Sequence, residues 1–321
     1  MIYDNQTNIP LPFAVFLATD DYIHHPNTIS TTSLIKPIKQ LILAKRVPKE
    51  DAIIDIASLV SARMGTAIHT ALDKAWDNPT QALQALGYSE RFIERIKINP
   101  DPKTLSKSDI PIYKEQRAFK DCMGYTISGQ YDFVIEDTVM DLKSTSVYSY
   151  LNQSNTQKYK LQGSIYRWLN PDIIKKDYMV IQFVFTDWSK VNSLRNADYP
   201  KSKHPIQKIP LLSLQETEQY IKDKLKQINQ YKDSDESEIP PCSDEDLWRK
   251  PTVYKYFKNP NSTRATKNFD SMAEALQRYH ADGAVGTIQT VKGYISACKY
   301  CPAFPVCKQK DGYIDSGELI L

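Results

Sequence analysis

The stretch Ser128-GQYDFVIEDTVMDLKST-Ser146 contains two apolar segments separated by a turn at residues 136–137. This pattern predicts a β-hairpin. On the second strand Asp141 and Lys143 are two residues apart, so both side chains leave the same face of the strand. Asp132 lies on the first strand, nine residues before Asp141. We therefore expect the hairpin to bring the two carboxylates together at a sheet edge, beside the lysine.

Two carboxylates beside a lysine suit the chemistry of a divalent metal ion. Oxygen ligands hold Mg²⁺ or Mn²⁺, and an ammonium group can sit near an attacking water or a substrate phosphate. The metal then stabilises the charge that develops as a phosphodiester bond breaks. For Asp132, Asp141 and Lys143 taken alone, the alternative interpretation is a solvated salt bridge on the surface of the hairpin.

The segments on either side of the hairpin add polar residues at helical spacing. A helix expected from Thr156 to Leu169 carries Gln162 and Tyr166 four residues apart, which places them on one face. A second helix, expected from Ile53 to Trp76, carries His69. Taken alone, such a histidine is more often structural than a metal ligand.

Four short motifs occur in order along the chain: Gly65-Thr-Ala-Ile-His69, Gly129-Gln-Tyr-Asp132, Asp141-Leu-Lys143 and Gln162-Gly-Ser-Ile-Tyr166. Together they resemble the motifs of the PD-(D/E)xK nuclease superfamily, specifically its RecB-like branch. The segment ISTTSLIKPIKQLIL, which begins at Ile29, is similar to the opening of phage-encoded RecB-like exonucleases. The resemblance implies a restriction-endonuclease-like α/β core, with a mixed central sheet flanked by helices. It also implies a metal-dependent DNA nuclease that acts without ATP, an exonuclease rather than an endonuclease.

The resemblance further implies a role for each matched residue. The implied ligands of the Mg²⁺ or Mn²⁺ ion are His69, Asp132, Asp141 and the backbone carbonyl of Leu142. Lys143 would position or activate the attacking water, and Gln162 and Tyr166 would support the lysine and the DNA phosphate. Glu115, at the start of the first expected strand, matches an acidic position that is common in the family. The alternative for Glu115 is an exposed glutamate at a strand end.

Three of the five cysteines lie close together, as Cys298-Lys-Tyr-Cys301 and Cys307. Two thiolates three residues apart can bind one metal from a tight turn, so the spacing predicts a metal site rather than a disulfide framework. Cys242 is the preferred fourth ligand, and Cys122 is the second choice. Four thiolates accept either Zn²⁺ or a [4Fe–4S] cluster, and the resemblance to iron–sulfur RecB-like nucleases favours iron. Buried free thiols are the alternative.

Residues 248–269 contain cations and aromatic rings but no acidic residue. Cations for phosphates and rings for bases are typical of a nucleic-acid groove, and a solvated basic face is the alternative. The residues expected to contact nucleic acid are Arg249, Lys250, Tyr254, Lys255, Lys258, Arg264 and Lys267.

The remaining patterns give the order of elements and the domain organisation. The expected strands are Ile112–Phe119, Tyr125–Ile135, Thr138–Lys143 and Tyr178–Phe185. A further helix is expected to begin at Ser213, where Glu216 completes a capping box. The acidic, proline-broken run at residues 233–246 marks a boundary. We expect an N-terminal helical and loop segment at residues 1–50, a nuclease core at 51–232, and a basic, cysteine-containing region at 233–321.

Composition excludes several classes of protein. The chain has 321 residues, of which 41% are hydrophobic and 25% charged, unlike a disordered or a membrane protein. The absence of a GxxxxGK[ST] motif excludes a recognisable nucleotide-driven motor. Residues 1–18 lack the basic start of a signal peptide, so we expect a cytoplasmic location, in the host if the chain is phage-encoded.

DNA is the expected partner, together with a separate recombination or helicase protein or a second copy of this chain. The expected setting is DNA recombination, repair or degradation in phage or bacteria. One alternative is a non-catalytic DNA-binding protein whose C-terminal region is held by zinc or an iron–sulfur cluster. Another is an iron–sulfur redox protein, which would leave His69, Asp141 and Lys143 unexplained.

Overall fold

The computed structural model describes residues 2–20, 25 and 28–320, which form two compact units. The core unit lies within residues 3–36 and 54–227, and the C-terminal unit comprises residues 2, 37–53 and 228–320. The three domains expected from the sequence stay a prediction. Within the described residues, no helix combines the length and the apolarity that crossing a membrane requires.

The described part of the chain alternates short and long elements. Its α-helices are α1 (Leu11–Ala18), α2 (Thr31–Leu34), α3 (Ile38–Leu43), α4 (Val60–Ala75), α5 (Thr80–Ala85), α6 (Glu90–Glu94), α7 (Val147–Leu151), α8 (Thr156–Leu169), α9 (Lys190–Arg195), α10 (Leu214–Tyr231), α11 (Met272–Ala281) and α12 (Gln309–Asp315). Its strands are β1 (Ile2–Asp4), β2 (Thr28–Ser30), β3 (Ile53–Asp55), β4 (Ile96–Ile98), β5 (Ile110–Lys114), β6 (Arg117–Cys122), β7 (Tyr125–Gln130), β8 (Phe133–Ile135), β9 (Thr138–Thr145), β10 (Tyr178–Phe185), β11 (Ile206–Pro210), β12 (Val253–Phe257), β13 (Lys267–Phe269) and β14 (Thr287–Val291).

Six strands form the central sheet of the core unit, in the order β11-β10-β9-β8-β5-β4. Strands β9 and β10 pair in parallel, as do β4 and β5, and the other neighbours are antiparallel. Helices α4 and α8 pack against this sheet. The expected α/β class with a mixed sheet and flanking helices is therefore confirmed.

Two elements of the core have the bounds that the sequence predicts. Strand β10 is apolar along most of its length, and Met179, Ile181 and Phe185 are fully buried. Such a continuous apolar run is typical of a strand that is covered on both faces. Helix α8 packs against the same sheet, and its residues Ile165 and Trp168 are buried, with 0% and 3% exposure.

The hairpin of strands β5 to β8 passes from the central sheet into a second sheet, of order β2-β7-β6. Pairing in the central sheet ends at Lys114 and resumes at Arg117 in the second sheet, so Glu115 and Asp132 lie opposite each other at the passage. Glu115 has a left-handed backbone, with φ of 50°. This conformation costs energy for a residue other than glycine, and it breaks the regular strand. The two uninterrupted strands that the sequence predicts here are therefore wrong.

The helix expected from Ile53 to Trp76 is shorter than predicted. Strand β3 and a 3₁₀ turn, Ile56–Leu59, precede α4. The side chain of Asp55 accepts a hydrogen bond of 3.2 Å from the N–H of Ala57 and caps that turn. This cap begins the turn before the α-helix, so the first residues of the predicted helix are not helical.

Two other helix starts follow local chemistry. The stretch after Ile29 is not one helix but β2, α2 and α3, and Pro37 immediately precedes α3. Proline disfavours helix at the preceding residue, which separates α2 from α3. The capping box at the start of α10 is confirmed: the N–H of Ser213 donates to Glu216 Oε2 at 2.8 Å, and the N–H of Glu216 donates to Ser213 Oγ at 3.1 Å.

The C-terminal unit contains a three-stranded antiparallel sheet of order β13-β12-β14, with α11 packed against all three strands. After this sheet come two 3₁₀ turns, Ala297–Tyr300 and Phe304–Val306, and then α12. The three clustered cysteines lie on or next to these turns.

Candidate active site

Three side chains from separate elements converge in the core unit. His69 comes from α4, Glu115 follows the end of β5, and Asp132 lies between β7 and β8. One ligand atom of each lies within 4.8 Å of the other two. Asp132 Oδ2 lies 3.1 Å from His69 Nδ1 and accepts a hydrogen bond of 2.9 Å from the N–H of Leu142. One nitrogen and two carboxylates can therefore bind a single divalent cation.

The electrostatics of these side chains favour a cation between them. The hydrogen bond to Asp132 raises the pKa of His69, although burial opposes this effect. Burial raises the pKa of Glu115, and the hydrogen bond from Gln130 opposes it. A half-buried pair of carboxylates gains stability when positive charge lies between them, as the hydrogen-bonded histidine or a metal ion provides.

A buried ion pair lies next to this cluster. Asp141 is 2% exposed, and its Oδ2 lies 2.6 Å from Lys143 Nζ. Burial raises the pKa of Asp141 to about 6, and the charge of Lys143 opposes that rise. Burial also lowers the pKa of Lys143, but Asp141 and Asp132 outweigh it, so the net pKa of the lysine is raised. Each charge of the pair thus favours the charged form of its partner.

Helix α8 supports this ion pair through its polar face. Gln162 Nε2 donates to Asp141 Oδ1 at 3.3 Å and to the Tyr166 hydroxyl at 2.8 Å. One turn earlier, the ring centroid of Tyr159 lies 5.9 Å from Lys143 Nζ. The spacing of Gln162 and Tyr166 on one helical face, which the sequence predicts, thus brings Gln162 to Asp141 and Tyr166 to Gln162. The other oxygen of the carboxylate, Asp141 Oδ2, is paired with the lysine ammonium.

Both groups of residues border one cavity of about 700 Å³. Its charged and aromatic lining consists of His69, Glu115, Arg117, Asp132, Lys143 and Tyr166. Hydroxyl groups line much of the remaining wall, from Ser30, Thr31, Thr32, Ser61, Thr66, Ser128 and Ser144. A cavity with hard oxygen ligands at one side and a cation beside them suits a phosphate ester and a divalent metal.

The structure changes the expected metal set in two ways. Glu115 joins His69 and Asp132, although it follows the end of a strand rather than starting one. Asp141 is not within that group of ligand atoms, because its carboxylate is held by Lys143 and Gln162. Of the four expected ligands, Leu142 contacts the cluster through its N–H, which donates to Asp132.

The expectation that this hairpin forms a sheet edge is wrong. Strands β8 and β9 both lie inside the six-stranded sheet, because β10 and β11 pair on one side and β5 and β4 on the other. The site instead lies where the hairpin leaves that sheet. Backbone pairing on both sides fixes the positions of its residues more rigidly than an edge would.

Sequence reasoning missed two residues that contact the cluster. Gln130 Nε2 donates to Glu115 Oε2 at 2.5 Å, and Arg117 Nη2 donates to Gln130 Oε1 at 2.9 Å. Gln130 is two residues before Asp132, and Arg117 is two residues after Glu115. This spacing of two, which places side chains on one face of a strand, was the available signal.

The glycine of the Gly129-Gln-Tyr-Asp132 motif has a packing role. A Cβ at this position would lie 2.5 Å from Thr31 Oγ1 and 2.7 Å from Leu169 Cδ1. Both distances are shorter than van der Waals contact. A side chain at Gly129 would therefore push α2 or α8 away from β7, next to the cavity.

The four cysteines of the C-terminal unit form no disulfide and are partly buried. Burial, followed by the charge of Asp246 and those of the other three thiols, raises the pKa of Cys242 to about 12. Cys242 therefore lies within electrostatic range of Cys298, Cys301 and Cys307. Cys122, the second choice, is a buried residue of β6 in the core unit.

The spacing of these thiols differs from that of a closed zinc site. Among the described residues, the cysteine sulfurs form no group of three within 4.8 Å of one another. Tetrahedral zinc with Zn–S bonds of about 2.3 Å would hold its sulfurs about 3.8 Å apart. A four-iron cluster is larger than one ion and holds its thiolates farther apart.

The residues expected to contact nucleic acid have different environments. Arg249 Nε lies 2.6 Å from Asp244 Oδ1, and its Nη1 also pairs with Glu318. Arg249 is thus a structural ion-pair residue within its unit. Lys255 lies on one face of the three-stranded sheet, whereas Tyr254 and Lys267 lie on the other. The remaining residues are Lys250, paired with Tyr294 by a β-bridge, and Lys258 and Arg264, which are exposed after β12.

Comparisons with known proteins give little further information. No family model matches the chain, and no curated protein matches it. One similar solved structure is that of SSO0001, with 15% identity, a TM-score of 0.41, and 70% of this chain and 88% of that chain covered. Another is a phage-related exonuclease from Haemophilus somnus 129PT, with 15% identity, a TM-score of 0.27, and coverage of 63% and 95%. Both TM-scores are below 0.5, so neither similarity carries an argument about fold or function.

Proposed function

We propose that this chain is a metal-dependent DNA nuclease of the PD-(D/E)xK type, RecB-like branch, with a restriction-endonuclease-like core. Its activity would be that of an ATP-independent exonuclease. The observation that supports this proposal is the convergence of His69, Glu115 and Asp132 at the cavity that Lys143 also lines. A surface salt bridge, the alternative for these charges, does not explain why Asp141 is 2% exposed.

The residues present fit a divalent cation. His69, Glu115 and Asp132 would hold Mg²⁺ or Mn²⁺, and Asp141 and the carbonyl of Leu142 remain the further ligands that the motif resemblance implies. Asp141 Oδ2 is paired with Lys143 Nζ at 2.6 Å, so a cation would share this carboxylate with the lysine. When bound, the cation supplies Lewis acidity to the phosphodiester and to the attacking water.

The chain itself supplies positioning and charge. In hydrolysis the water oxygen bonds to phosphorus and releases a proton to solvent. The bond from phosphorus to the leaving sugar oxygen breaks, and that oxygen takes up a proton from solvent. The raised pKa of Lys143 keeps it an ammonium, so it would donate to the water or the phosphate rather than act as a base. Asp141 holds that ammonium, Gln162 holds Asp141, and the Tyr166 hydroxyl accepts a hydrogen bond from Gln162. The resemblance implies products with 5′-phosphates.

The proposal is tested with end-labelled linear DNA and closed circular DNA. Each is incubated with the wild type, Lys143→Ala and Lys175→Ala, with Mg²⁺ or Mn²⁺ and without ATP. Lys175 is a matched control, because it forms an exposed ion pair with Asp137 at 3.3 Å. Loss of linear DNA alone, abolished in Lys143→Ala and EDTA but not in Lys175→Ala, is the expected result. Cutting of circles would establish an endonuclease, and no cleavage of either DNA would overturn the proposal.

For the C-terminal unit we propose a [4Fe–4S] cluster on Cys242, Cys298, Cys301 and Cys307, with Zn²⁺ as the alternative. The support is that Cys242 and Cys298 pack against the same small apolar cluster and that the other three thiols all raise the pKa of Cys242. Anaerobic purification should give brown protein with thiolate-to-iron absorption that Cys298→Ser loses. Colourless protein that contains one zinc ion per chain would show that the site binds zinc rather than iron. If the folded protein contains no metal and all four thiols react freely, the proposed metal site does not exist.

The proposed setting is DNA recombination, repair or degradation in the cytoplasm of a bacterium or of a phage-infected host. DNA is the proposed partner, with a separate recombination or helicase protein or self-association as the source of processivity. Should the chain bind DNA without cleaving it, the alternative of a non-catalytic DNA-binding protein would replace the nuclease.

A further inference from the structure

The three-stranded sheet of the C-terminal unit has two unlike faces. Helix α11 covers one of them, where Tyr256 is fully buried and its ring centroid lies 6.3 Å from that of Tyr279. Because side chains alternate along a strand, Lys255 and Phe257 project from the opposite face. Both are partly exposed although β12 is the central strand of the sheet.

The face opposite α11, called here the open face, combines one ring, one cation and several neutral polar groups. The pairing register places Asn268 and Gln289 on either side of Lys255, and Thr287 beside Phe257. Asn268, Thr287 and Gln289 are exposed. The members of the open face are Val253, Lys255, Phe257, Asn268, Thr287, Gln289 and Val291.

Charge is unevenly distributed around this sheet. Residues 247–269 and 283–310 contain no aspartate or glutamate, and together they contain ten lysines and arginines. The acidic residues between these segments include Glu274 and Asp282, on or next to α11, which is the covered side of the sheet. The strands of the open face therefore carry positive charge only, which complements a polyanion.

We propose that the open face binds single-stranded nucleic acid. The ring of Phe257 would stack on a base, Lys255 would contact a phosphate, and Asn268 and Gln289 would donate to base edges or backbone oxygens. Stacking on a sheet-borne ring requires an unpaired base, so this chemistry selects single strands over duplex. The inference rests on the proposed function for its substrate class, since the bound strand would be DNA that the core unit cleaves.

The test uses the full chain in EDTA, where no metal-dependent cleavage occurs. Binding of a fluorescein-labelled oligothymidylate is measured by anisotropy, and binding of a duplex of equal length is measured in parallel. Gln289→Glu adds a negative charge to the open face. Thr290→Glu is the matched control, because this exposed neighbour lies on the same strand but on the face that α11 covers. Circular dichroism checks that both variants fold.

A second matched pair removes positive charge. Lys255→Gln acts on the open face, and Lys175→Gln is its control, because Lys175 is exposed in the core unit and pairs with Asp137. Phe257→Leu removes the ring but keeps an apolar side chain. We expect Gln289→Glu, Lys255→Gln and Phe257→Leu each to weaken oligothymidylate binding about 5-fold or more, and the two controls to change it less than about 2-fold.

Equal effects of each variant and its control would overturn the inference, as would tighter binding of duplex than of single strand. The outcomes separate this inference from the proposed function. If the chain cleaves DNA and the open-face variants bind oligothymidylate as tightly as the wild type, the open face is not the binding site but the nuclease proposal stands. If the open-face variants lose binding but the wild type cleaves no DNA, the open face is a binding site and the nuclease proposal is wrong.

Discussion

Glu115 and Asp132 lie opposite each other where the hairpin passes between two sheets, and the N–H of Glu115 donates a hydrogen bond of 3.0 Å to the carbonyl oxygen of Asp132. This backbone contact fixes two carboxylates on facing segments of chain. His69 reaches them from α4, so the third donor comes from a different element. The geometry of the cluster therefore depends on sheet pairing rather than on a loop.

Gln130 is predicted to position Glu115 for metal binding. Its amide donates to Glu115 Oε2 at 2.5 Å, and Arg117 fixes the orientation of the amide from the other side. Loss of a group that orients a metal ligand costs about 10- to 100-fold in metal affinity. Isothermal titration with Mn²⁺ should show a loss in this range for Gln130→Leu, with folding unchanged.

Gln219→Leu is the control for Gln130, because Gln219 also donates to a carboxylate, that of Asp223 at 2.9 Å, but on the surface of α10. We expect Mn²⁺ affinity to be unchanged in this variant. An unchanged affinity in Gln130→Leu as well would show that Glu115 needs no support from the amide.

The Asp141–Lys143 pair gives a stability prediction. Lys143→Met leaves a buried carboxylate without its cation, and breaking one half of a buried pair typically costs about 3–5 kcal/mol. The double variant Asp141→Asn/Lys143→Met removes both charges, so we expect its free energy of unfolding to exceed that of Lys143→Met. Urea unfolding in EDTA measures all three proteins. The pair would be energetically unimportant if Lys143→Met were as stable as the wild type.

His69 gives a prediction about pH. The hydrogen bond to Asp132 raises the pKa of His69 above 6.5 in the folded protein. A raised pKa contributes stability that is fully present below the unfolded value and is lost as pH rises through the folded value. In EDTA, the difference in unfolding free energy between wild type and His69→Asn should therefore be larger at about pH 5.5 than at about pH 8.5. His204→Asn, at an exposed position, is the control, and a pH-independent difference for His69→Asn would contradict the prediction.

The two motif glycines should respond differently to alanine. A Cβ at Gly129 would lie 2.5 Å from Thr31 Oγ1, whereas one at Gly65 would lie 3.4 Å from Ser144 Oγ, an ordinary contact. We expect Gly129→Ala to lower the free energy of unfolding by about 1–3 kcal/mol, since overpacking costs this much. Gly65→Ala lies inside α4 and should be neutral or stabilising. Urea unfolding of both variants measures the difference, and similar values would contradict it.

The long elements and the spacing along them could be predicted from the sequence. Helix α8 and strand β10 have the predicted bounds, because one buries a regular apolar stripe and the other is apolar on both faces. Motif spacing also placed Gln162 and Tyr166 on one helical face, where Gln162 donates to both Asp141 and Tyr166. These features depend on neighbours in sequence, which a period of two or of 3.6 residues reveals.

The features that could not be predicted depend on long-range pairing or on backbone strain. The left-handed backbone of Glu115 breaks a strand in a way that no propensity indicates, and it aims this carboxylate at Asp132. The carboxylate of Asp141 contacts Lys143 and Gln162, 2 and 21 residues away, and its oxygens lie outside the histidine–carboxylate group. The pairing of Arg249 with Glu318 joins residues 69 positions apart. Such contacts are fixed by the tertiary structure rather than by local sequence.

The central claim is that His69, Glu115 and Asp132 form a divalent-metal centre, and a titration of Glu115→Gln with Mn²⁺ tests it most directly. Glu136→Gln is the matched control, because Glu136 has the same φ of 50° but lies in the turn between β8 and β9. We expect Glu115→Gln to weaken Mn²⁺ binding about 10-fold or more and to slow cleavage of linear DNA. Glu136→Gln should change neither. Unchanged Mn²⁺ affinity in folded Glu115→Gln would contradict the metal centre described here.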